Sequence, residues 1–575
     1  MTTRGTITYR RPRGRTQRGT FELDLDPDVR MRVKRILPKV SVHSRTLKVV
    51  DSDETAADMA MILTRWDLEA DEQTLARIRG GDRAMREKEE TVEAILSGKV
   101  LTNPEAMEPA RPLREYQKQA HAVARASGGL LLADELGLGK TASSLASLGD
   151  PAMRPMLVVT LAGLPRQWIR ELKVVYPDLT AHEIKGTTPY ELRDGDGQWP
   201  DLIAMNYAKL AGWAAHLDGK VRTVVFDEVH ELRRPGSQKY RAAKLVASGA
   251  DLVWGLSATP VMNYGGEMHA IMNIIDPSAL GDRQEFAREW CSTSYGLDQK
   301  TPVDDPESLR SFLTSRGSML RRSRSDVGID LPPVMLIEQS VDSDEGAIRE
   351  VESDVAEIAK LILDSSAEHK VRWAAKGELD WKLRQATGIA KAPFVAAFVK
   401  LLLESEEKIA VMAWHRSVID ILSESLASYG VGLYTGTETP NAKARTLDRF
   451  IEGEDRVMIM SLRSGAGIDG LQDVCQNVVF AEYDWSPGVH KQVIGRFHRP
   501  GQAKPTFAYF CDSDSGADPI MKDTLNIKAM QADLLIDPDL SATITDPDAG
   551  RDHRVALAQS ILDRTGTPAP SSAAA

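Results

Sequence analysis

The chain has 575 residues, of which 42% are hydrophobic and 27% are charged, a composition typical of folded globular proteins. This length exceeds what one hydrophobic core usually serves and predicts three or four domains, and no run of apolar residues is long enough to span a bilayer. The formal net charge of −11 excludes a protein coated in positive charge, so a nucleic acid would have to bind a local basic surface.

The N-terminus and the cysteines exclude two further classes. Arginines near the N-terminus are not followed by an apolar stretch, so the segment is not a secretory signal. Cys291, Cys475 and Cys511 are widely separated and have neither metal-ligand spacing nor an even disulfide framework. These features fit a reducing compartment and predict a cytoplasmic protein.

The first hundred residues predict a basic arm and a small accessory domain. Residues 1–19 contain six arginines and no acidic residue, which predicts a disordered arm that either contacts nucleic acid or only aids solubility. In residues 20–100, alternating apolar residues predict two strands around a helix at 28–36, then an amphipathic helix at 53–79 and a charged helix at 82–96. We expect an α+β domain here, followed by a proline-containing linker at 101–111.

Residues 130–141, LLLADELGLGKT, have the pattern of a phosphate-binding loop. The first four predict a buried strand, and a helix is expected to begin near Lys140. Gly137 and Gly139 would let backbone N–H groups approach an anion at the start of that helix. Lys140 would reach the β- and γ-phosphates of a nucleotide, and the hydroxyl of Thr141 would bind Mg²⁺.

One residue departs from the usual phosphate-loop pattern. Asp134 stands where the pattern begins with glycine. The alternative of a strand, a turn and a helix without a ligand therefore stays open for this stretch alone.

A second acidic motif favours the nucleotide interpretation. The β-branched run at 221–226 is typical of a buried parallel strand, and Asp227 and Glu228 come directly after it. Acidic residues at the carboxyl end of a strand lie where open α/β sheets bind ligands. Asp227 would hold Mg²⁺ opposite Thr141, and Glu228 would orient and deprotonate the attacking water. A solvated strand exit is the alternative for these two residues taken alone.

Short apolar runs that alternate with helical patterns predict two parallel α/β sheets. Residues 262–390, between the two groups of runs, have a mainly helical pattern. The runs of the first sheet are 156–160, 202–205, 221–226 and 252–256, and those of the second are 409–414, 457–461 and 478–480.

Two remaining stretches carry weaker signals. Asp178, Glu183 and Lys185 spell a loose magnesium-nuclease pattern inside the first sheet, and we expect no cleavage activity from it. After Cys511, helices are predicted at 519–535 and 553–564, before a low-complexity tail.

Taken in order, six motifs resemble those of the Swi/Snf family of superfamily-two helicase-like ATPases, over residues 112–525. Weaker segments agree, and EYDWSPG at 482–488 is most similar to the annealing-helicase branch. The compact second half looks like that of a bacterial or bacteriophage enzyme. The six motifs are LREYQ at 113–117, DELGLGKT at 134–141, DEVH at 227–230, GLSATP at 255–260, SLRSGAGID at 461–469 and QVIGRFHRPGQ at 492–502.

The resemblance implies two RecA-like lobes with helical protrusions, besides the accessory α+β domain. The expected divisions are a first lobe with a helical insertion at 112–335, a helical protrusion and brace at 336–390, a second lobe at 391–525, and C-terminal helices with a disordered tail at 526–575.

The resemblance also implies roles for individual residues. Gln117 would recognise the adenine, and Ser257 and Thr259 would couple phosphate loss to lobe movement. Arg496 and Arg499 are three residues apart, which predicts a shared helical face, and they match arginine-finger positions. The implied catalytic set is Lys140, Asp227, Glu228, Arg496 and Arg499; the implied nucleotide contacts are Gln117, Asp134, Gly137, Leu138, Gly139, Lys140, Thr141, Gly467 and Asp469; the implied Mg²⁺ ligands are Thr141 and Asp227.

The implied function is ATP-dependent translocation on double-stranded DNA in replication, recombination or repair, with ATP and Mg²⁺ as cofactors. We expect a monomer in the cytoplasm of a bacterial cell that grips the phosphate backbone with little sequence specificity. One alternative is a strand-separating helicase on DNA or RNA. The other is an ATP-gated DNA clamp or scaffold with little turnover.

Overall fold

The computed structural model divides the chain into two compact units, Met1–Asp134 with Gly139–Arg322, and Glu135–Leu138 with Ser323–Ala575. Among the described residues, no helix combines the length and apolar character needed to span a membrane. The residues described are 3–11, 19–37, 47–98, 107–135, 137–257, 265–291, 301–329, 331–364, 367–462, 470–499, 502, 504–525 and 553–565.

The first unit begins with a four-stranded mixed sheet in the order β3-β2-β1-β4. Its apolar side chains form one core with those of the helices that cover it. The elements are β1 (Gly5–Arg10), β2 (Thr20–Leu25), α1 (Pro27–Ile36), β3 (Leu47–Val50), α2 (Asp53–Arg65), β4 (Glu69–Ala70) and α3 (Glu72–Leu96).

The prediction of a disordered arm is wrong for residues 5–10, which form β1. This strand pairs antiparallel with β2 along its whole length, and Ile7 is buried in the core. Two of the six arginines lie beside acidic residues: Arg10 pairs with Glu22 at 3.4 Å, and Arg4 contacts Asp26 at 3.1 Å. Residues 12–18, which include Arg13, Arg15 and Arg18, lie outside the described residues.

The helix predicted at 53–79 is two helices, because the chain turns between α2 and α3. Ser52 caps the first helix by accepting a hydrogen bond from the Thr55 N–H, and Asp71 caps the second in the same way at Thr74. The charged helix predicted at 82–96 is the second half of α3. The two strands predicted around helix 28–36 are confirmed as β2 and β3.

A seven-stranded parallel sheet forms the centre of the rest of this unit, in the order β11-β5-β10-β9-β6-β8-β7. Alternate residues of its strands enter two separate hydrophobic cores, so both faces are covered, which is why the runs read as continuous apolar stretches. The elements are α4 (Glu115–Ser127), β5 (Gly129–Leu132), α5 (Lys140–Leu145), β6 (Met156–Thr160), α6 (Pro165–Val175), β7 (Ala181–Glu183), β8 (Leu202–Asn206), α7 (Tyr207–Leu217), β9 (Thr223–Asp227), α8 (Gln238–Ser248), β10 (Leu252–Leu256), α9 (Gly265–Ile275), α10 (Arg283–Trp290), α11 (Pro306–Ser315) and β11 (Met319–Leu320).

Within this unit the N-terminal sheet domain is fastened to the large sheet by polar contacts. Arg316 pairs with Glu54 at 3.3 Å, and Lys88 of α3 donates to the Ser127 carbonyl at the end of α4. A Cβ placed on Gly317 would lie 2.8 Å from Val92, so the backbone here approaches α3 closely.

The second unit contains a six-stranded parallel sheet in the order β12-β17-β16-β13-β15-β14. Its two faces are again covered by separate cores. The elements are β12 (Val334–Ser340), α12 (Gly346–Leu363), α13 (His369–Leu402), β13 (Ile409–Ala413), α14 (Arg416–Ser425), β14 (Val431–Tyr434), α15 (Pro440–Ile451), β15 (Val457–Ser461), α16 (Leu471–Val474), β16 (Asn477–Phe480), α17 (Pro487–Phe497), β17 (Thr506–Asp512), α18 (Asp518–Leu525) and α19 (His553–Thr565).

The prediction of two parallel α/β sheets is confirmed, and each apolar run named above corresponds to a strand. Two predictions about the region between them are wrong. Residues 334–340 are not part of a helical brace but form β12, which pairs with β17 over its full length. The boundary expected after residue 390 falls inside α13, a continuous helix of 34 residues.

A buried ion pair ties α13 to the end of the second sheet. Lys391 is 1% exposed and its Nζ lies 2.7 Å from the Asp518 carboxylate and 2.7 Å from the Cys511 carbonyl. The ammonium also lies 4.6 Å from the centre of the Tyr483 ring. Such a pair is costly to break, because the remaining charge stays buried without a counterion.

Replacing Lys391 by Met should lower the free energy of unfolding by about 3–5 kcal/mol, because Asp518 would be left buried without its cation. Urea denaturation would measure the change. Lys382→Met is the matched control: this lysine also lies on α13, but its partners Glu378 and Asp354 are 55% and 67% exposed, so its removal should cost no more than about 1 kcal/mol. Equal losses in the two variants would contradict the argument from burial.

Candidate active site

The glycine-rich loop leaves the carboxyl end of β5 and enters α5. Gly137 and Gly139 have φ angles of 89° and 74°, in the left-handed region that glycine adopts without a steric cost. Leu138 between them is buried. The predicted strand, turn and helix are therefore present, with the turn conformation that the two glycines allow.

Gln117 of α4 lies directly against this loop. It is 8% exposed, and a Cβ added to Gly139 would lie only 2.5 Å from its Nε2. Its Oε1 accepts a hydrogen bond from the Arg114 N–H at 3.0 Å, which caps the start of α4. Gln117 therefore serves as a cap and contacts the loop, while adenine recognition stays a prediction.

Lys140 reaches back across the loop that precedes it. Its Nζ donates a hydrogen bond of 2.5 Å to the carbonyl of Asp134, so the ammonium is held over the same turn that carries the glycines. Thr141 follows on the first turn of α5 and is half-buried. These positions are consistent with the predicted roles of the two residues toward phosphate and Mg²⁺.

The side chain of Asp134 is occupied by an arginine that the sequence prediction missed. Arg322 donates from Nε at 3.1 Å and from Nη2 at 2.6 Å to this carboxylate, and its backbone N–H donates to it as well. Asp134 is 1% exposed. The carboxylate of Asp134 thus binds Arg322 and its carbonyl accepts from Lys140, while a contact of Asp134 with the nucleotide stays a prediction.

Arg322 also holds the helix that carries Gln117. Its Nη1 donates to the Tyr116 carbonyl at 2.7 Å and to Gln119 Oε1 at 3.1 Å, and the guanidinium lies 5.4 Å from the Tyr116 ring centre. One side chain thus fixes both the entry to the glycine loop and the first turn of α4.

Asp227 ends β9 at the same edge of the sheet. Its Oδ2 accepts hydrogen bonds from Thr160 Oγ1 at 2.8 Å and from Trp168 Nε1 at 3.1 Å, and Tyr207 donates to its carbonyl. Burial raises the pKa of Asp227, the neighbouring Glu228 raises it further, and the two hydrogen bonds and Lys140 act in the opposite direction. A desolvated carboxylate beside a second carboxylate is chemically suited to a divalent cation.

Glu228 has an unusual backbone conformation. Its φ of 51° makes it the one non-glycine residue with a positive φ in the described part of the chain. This conformation is disfavoured for residues with a Cβ, and such strain is found mainly where a side chain must be aimed. The carboxylate lies 3.3 Å from His230 Nδ1 and is about a quarter exposed.

The remaining predicted residues lie in the second unit or in undescribed segments, except Ser257, which belongs to the first unit. Arg496 lies on α17 and is 6% exposed. The predicted shared helical face is wrong, because α17 ends at Phe497 and Arg499 follows the helix, donating from Nε to the Gly495 carbonyl at 3.2 Å. Thr259, Gly467 and Asp469 lie outside the described residues, whereas Ser257 is buried and its N–H donates to the Leu132 carbonyl.

The sequence prediction also missed a histidine between the two arginines. His498 Nδ1 lies 2.7 Å from Arg324 Nη1, and its Nε2 lies 2.7 Å from the Pro332 carbonyl. Burial, helped by the charge of Arg324, lowers the pKa of His498 to about 4, so the ring is neutral near pH 7. Neutral His498 therefore donates to Pro332 and accepts from Arg324, which in turn pairs with Glu135 at 3.0 Å.

Comparison with known proteins adds two family matches. The SNF2-related domain profile matches residues 65–346, and the helicase conserved C-terminal domain profile matches residues 394–501. Together they include every residue of the predicted catalytic set. The chain is an SNF2-related, helicase-like ATPase.

Two relatives show how far the similarity of this SNF2-related ATPase extends. It is 25% identical over 434 residues to the DNA annealing helicase and endonuclease ZRANB3 of Bos taurus, covering 72% of this chain and 40% of the bovine protein. It is 25% identical over 432 residues to the SWI/SNF-related matrix-associated actin-dependent regulator of chromatin subfamily A-like protein 1 homolog of Caenorhabditis elegans, covering 71% of this chain and 59% of the relative. The chain thus matches about half the length of these proteins.

A solved structure is similar over most of the chain. The Sulfolobus solfataricus SWI2/SNF2 ATPase core in complex with dsDNA shares 19% identity, with 78% of this chain and 99% of that chain covered and a TM-score of 0.36. A score this low adds nothing to the fold assignment, which rests on the two parallel sheets themselves.

Replacing Arg322 by Lys should lower kcat/KM for ATP roughly ten- to a hundredfold, because small displacements of catalytic groups carry penalties of this size. Lysine keeps the charge but cannot reach Asp134, Tyr116 and Gln119 with one planar group. Steady-state ATP hydrolysis would measure the change.

Arg316→Lys is the matched control for this variant. Arg316 is 9% exposed, belongs to the same unit and pairs with Glu54, and its side chain makes no hydrogen bond or ion pair with the described residues of α4 or the glycine loop. A similar loss of kcat/KM in both variants would show that Arg322 has only a general structural role.

Proposed function

We propose that this ATPase is an ATP-dependent translocase on double-stranded DNA that acts in replication, recombination or repair. The catalytic part of the proposal rests on one edge of the first sheet. Lys140, Asp227 and Glu228 belong to the same unit there, and Glu228 has a strained backbone conformation. The DNA part is supported by the relatives, one of which is named as a DNA annealing helicase. A bacterial or bacteriophage source stays a prediction from the sequence.

In the proposed mechanism, the backbone N–H groups of the glycine loop and the Lys140 ammonium bind the nucleotide phosphates. Thr141 and Asp227 would hold Mg²⁺, which would supply positive charge beside the nucleotide phosphates. The donor set fits this cation, since Mg²⁺ in such sites uses few protein ligands besides phosphate and water.

Glu228 acts on the attacking water in this proposal. Its carboxylate is about a quarter exposed, and its positive φ sets the direction in which the side chain leaves the backbone. Asp227 is half-buried and is engaged by Thr160 and Trp168, so Glu228 is better placed to accept a proton.

Arg496 and Arg499 belong to the second unit and would stabilise the charge of the transferring phosphoryl group. The proposal therefore requires that the two units come together during turnover, and that DNA promotes this closure. Opening after hydrolysis would move one unit along the phosphate backbone, so binding should be salt-dependent and largely independent of sequence.

Glu228→Gln should reduce ATP turnover at least about a hundredfold while nucleotide binding is retained, since the general base is lost but Lys140 and Asp227 remain. Lys140→Ala should abolish turnover and weaken nucleotide binding as well. Hydrolysis rates and binding of a fluorescent ATP analogue would separate the two effects. Glu231→Gln, which removes the same charge from the next turn, should leave turnover nearly unchanged; near-normal turnover of Glu228→Gln would refute the assignment of the base.

Saturating duplex DNA should stimulate ATP turnover of the wild type, and Arg496→Ala or Arg499→Ala should remove this stimulation, with losses on the order of 10³ to 10⁵ in rate. The measurement is hydrolysis with duplex, forked and single-stranded DNA. Lys491→Ala, on the same helix as Arg496, is the control for a simple loss of positive charge.

The outcomes separate the proposal from its two alternatives. Stronger stimulation by single-stranded than by duplex nucleic acid would favour a strand-separating helicase. Negligible turnover with every DNA would favour an ATP-gated clamp or scaffold. Strong duplex-stimulated turnover in both arginine variants would place the fingers elsewhere and end the closure mechanism.

A further inference from the structure

Positive charge is concentrated at one end of an otherwise acidic chain. Residues 1–37 contain ten basic and four acidic side chains, whereas the whole chain has a formal net charge of −11. Most of this region belongs to the N-terminal sheet domain, for which the proposed mechanism has no use. Its charge therefore needs a separate explanation.

Arg4, directly before β1, and Arg10, at the end of β1, form ion pairs with acidic neighbours. Arg4 pairs with both Asp26 and Asp28, and its pKa is raised chiefly by the hydrogen bond to Asp28. Arg10 pairs with Glu22, which also pairs with Lys48. These contacts use three of the four acidic side chains of the region, and they are made with Arg4, Arg10 and Lys48, which lie outside α1.

The cations of α1 lie around an exposed face. Val29 and Val33 are buried and fix this helix to the sheet, so the side chains between and beyond them point away from the core. Arg32 and Arg35 are exposed, Arg30 and Lys34 are half-buried, and Met31 between the arginines is 58% exposed.

This arrangement is not explained by the stability of the helix. Lys34 and Arg35 in the last turn interact favourably with the helix dipole, but Arg32 lies near the middle and gains little from it. Arg30 with Lys34 and Arg32 with Arg35 are like-charge pairs at helical spacing, which destabilise a helix slightly. A helix face rich in lysine and arginine is typical of a surface that binds the phosphates of a nucleic acid.

We propose that the exposed face of α1, with Arg32 and Arg35 at its centre, is a second DNA-binding surface that contacts the phosphate backbone. The inference rests on the DNA partner proposed above but concerns a domain outside the ATPase sheets. This surface anchors DNA and takes no part in hydrolysis. The cations of this surface thus act from a folded helix.

The test compares two double variants of the full-length protein, Arg32→Gln/Arg35→Gln and the control Arg79→Gln/Arg83→Gln. The control removes the same charge from α3 of the same domain, where both arginines are about 70–80% exposed. Binding to a labelled duplex would be measured by fluorescence anisotropy over a range of salt concentrations, and thermal melting would confirm that both variants fold.

We expect Arg32→Gln/Arg35→Gln to reduce the magnitude of the log-affinity versus log-salt slope by about 1.8, since each lost phosphate contact contributes about 0.9. The control should keep the wild-type slope, and turnover at saturating duplex should be unchanged in both variants. Equal slopes in the two variants would overturn the proposal.

The ATPase of the wild type distinguishes the two possible failures. Equal slopes together with duplex-stimulated hydrolysis would refute only the α1 surface. An absence of duplex binding and of stimulation in the wild type would refute the proposed translocase itself, and with it the DNA partner of this helix.

Discussion

The ion pair between Asp134 and Arg322 is the interaction on which the nucleotide site depends. The two residues are separated by 188 positions, yet the carboxylate is almost completely buried and takes two donors from one guanidinium. Through the Tyr116 carbonyl and Gln119, the same arginine sets the position of α4 relative to the glycine loop. A charge-assisted, bidentate contact is suited to this task because it fixes direction as well as distance.

In the acidic pair at the end of β9, two negative charges are held next to each other, in contrast to the attractive Asp134–Arg322 pair. Desolvation and the charge of Glu228 raise the pKa of Asp227, and Thr160, Trp168 and Lys140 offset this only in part. Folding thus places negative charge where it is least favourable, in a backbone conformation that residues with side chains avoid. A cation and a nucleotide would relieve this cost, and that relief would favour their binding.

The sequence was sufficient for features that arise from local patterns. Apolar runs predicted the central strands of both parallel sheets but not β7, β11, β12, β14 or β17. The glycines and acids at strand ends predicted the loop and the Asp227–Glu228 pair. It was insufficient wherever a residue's partner lies far along the chain. Arg322 was visible only as one of several arginines near the end of the expected first lobe, and Asp134 as a departure from a pattern. Six arginines without an acid suggested disorder in residues 1–19, because the acids that pair with Arg4 and Arg10 come later.

The place of β1 in the N-terminal sheet affects how shortened versions of this protein would behave. In the order β3-β2-β1-β4, the first strand of the chain is an interior strand, bonded to β2 on one side and to β4 on the other. A fragment that starts at residue 20 would not merely lose a basic terminus. It would expose an unpaired edge on β2, separate β4 from the sheet and leave the pocket of Ile7 empty, conditions that favour aggregation.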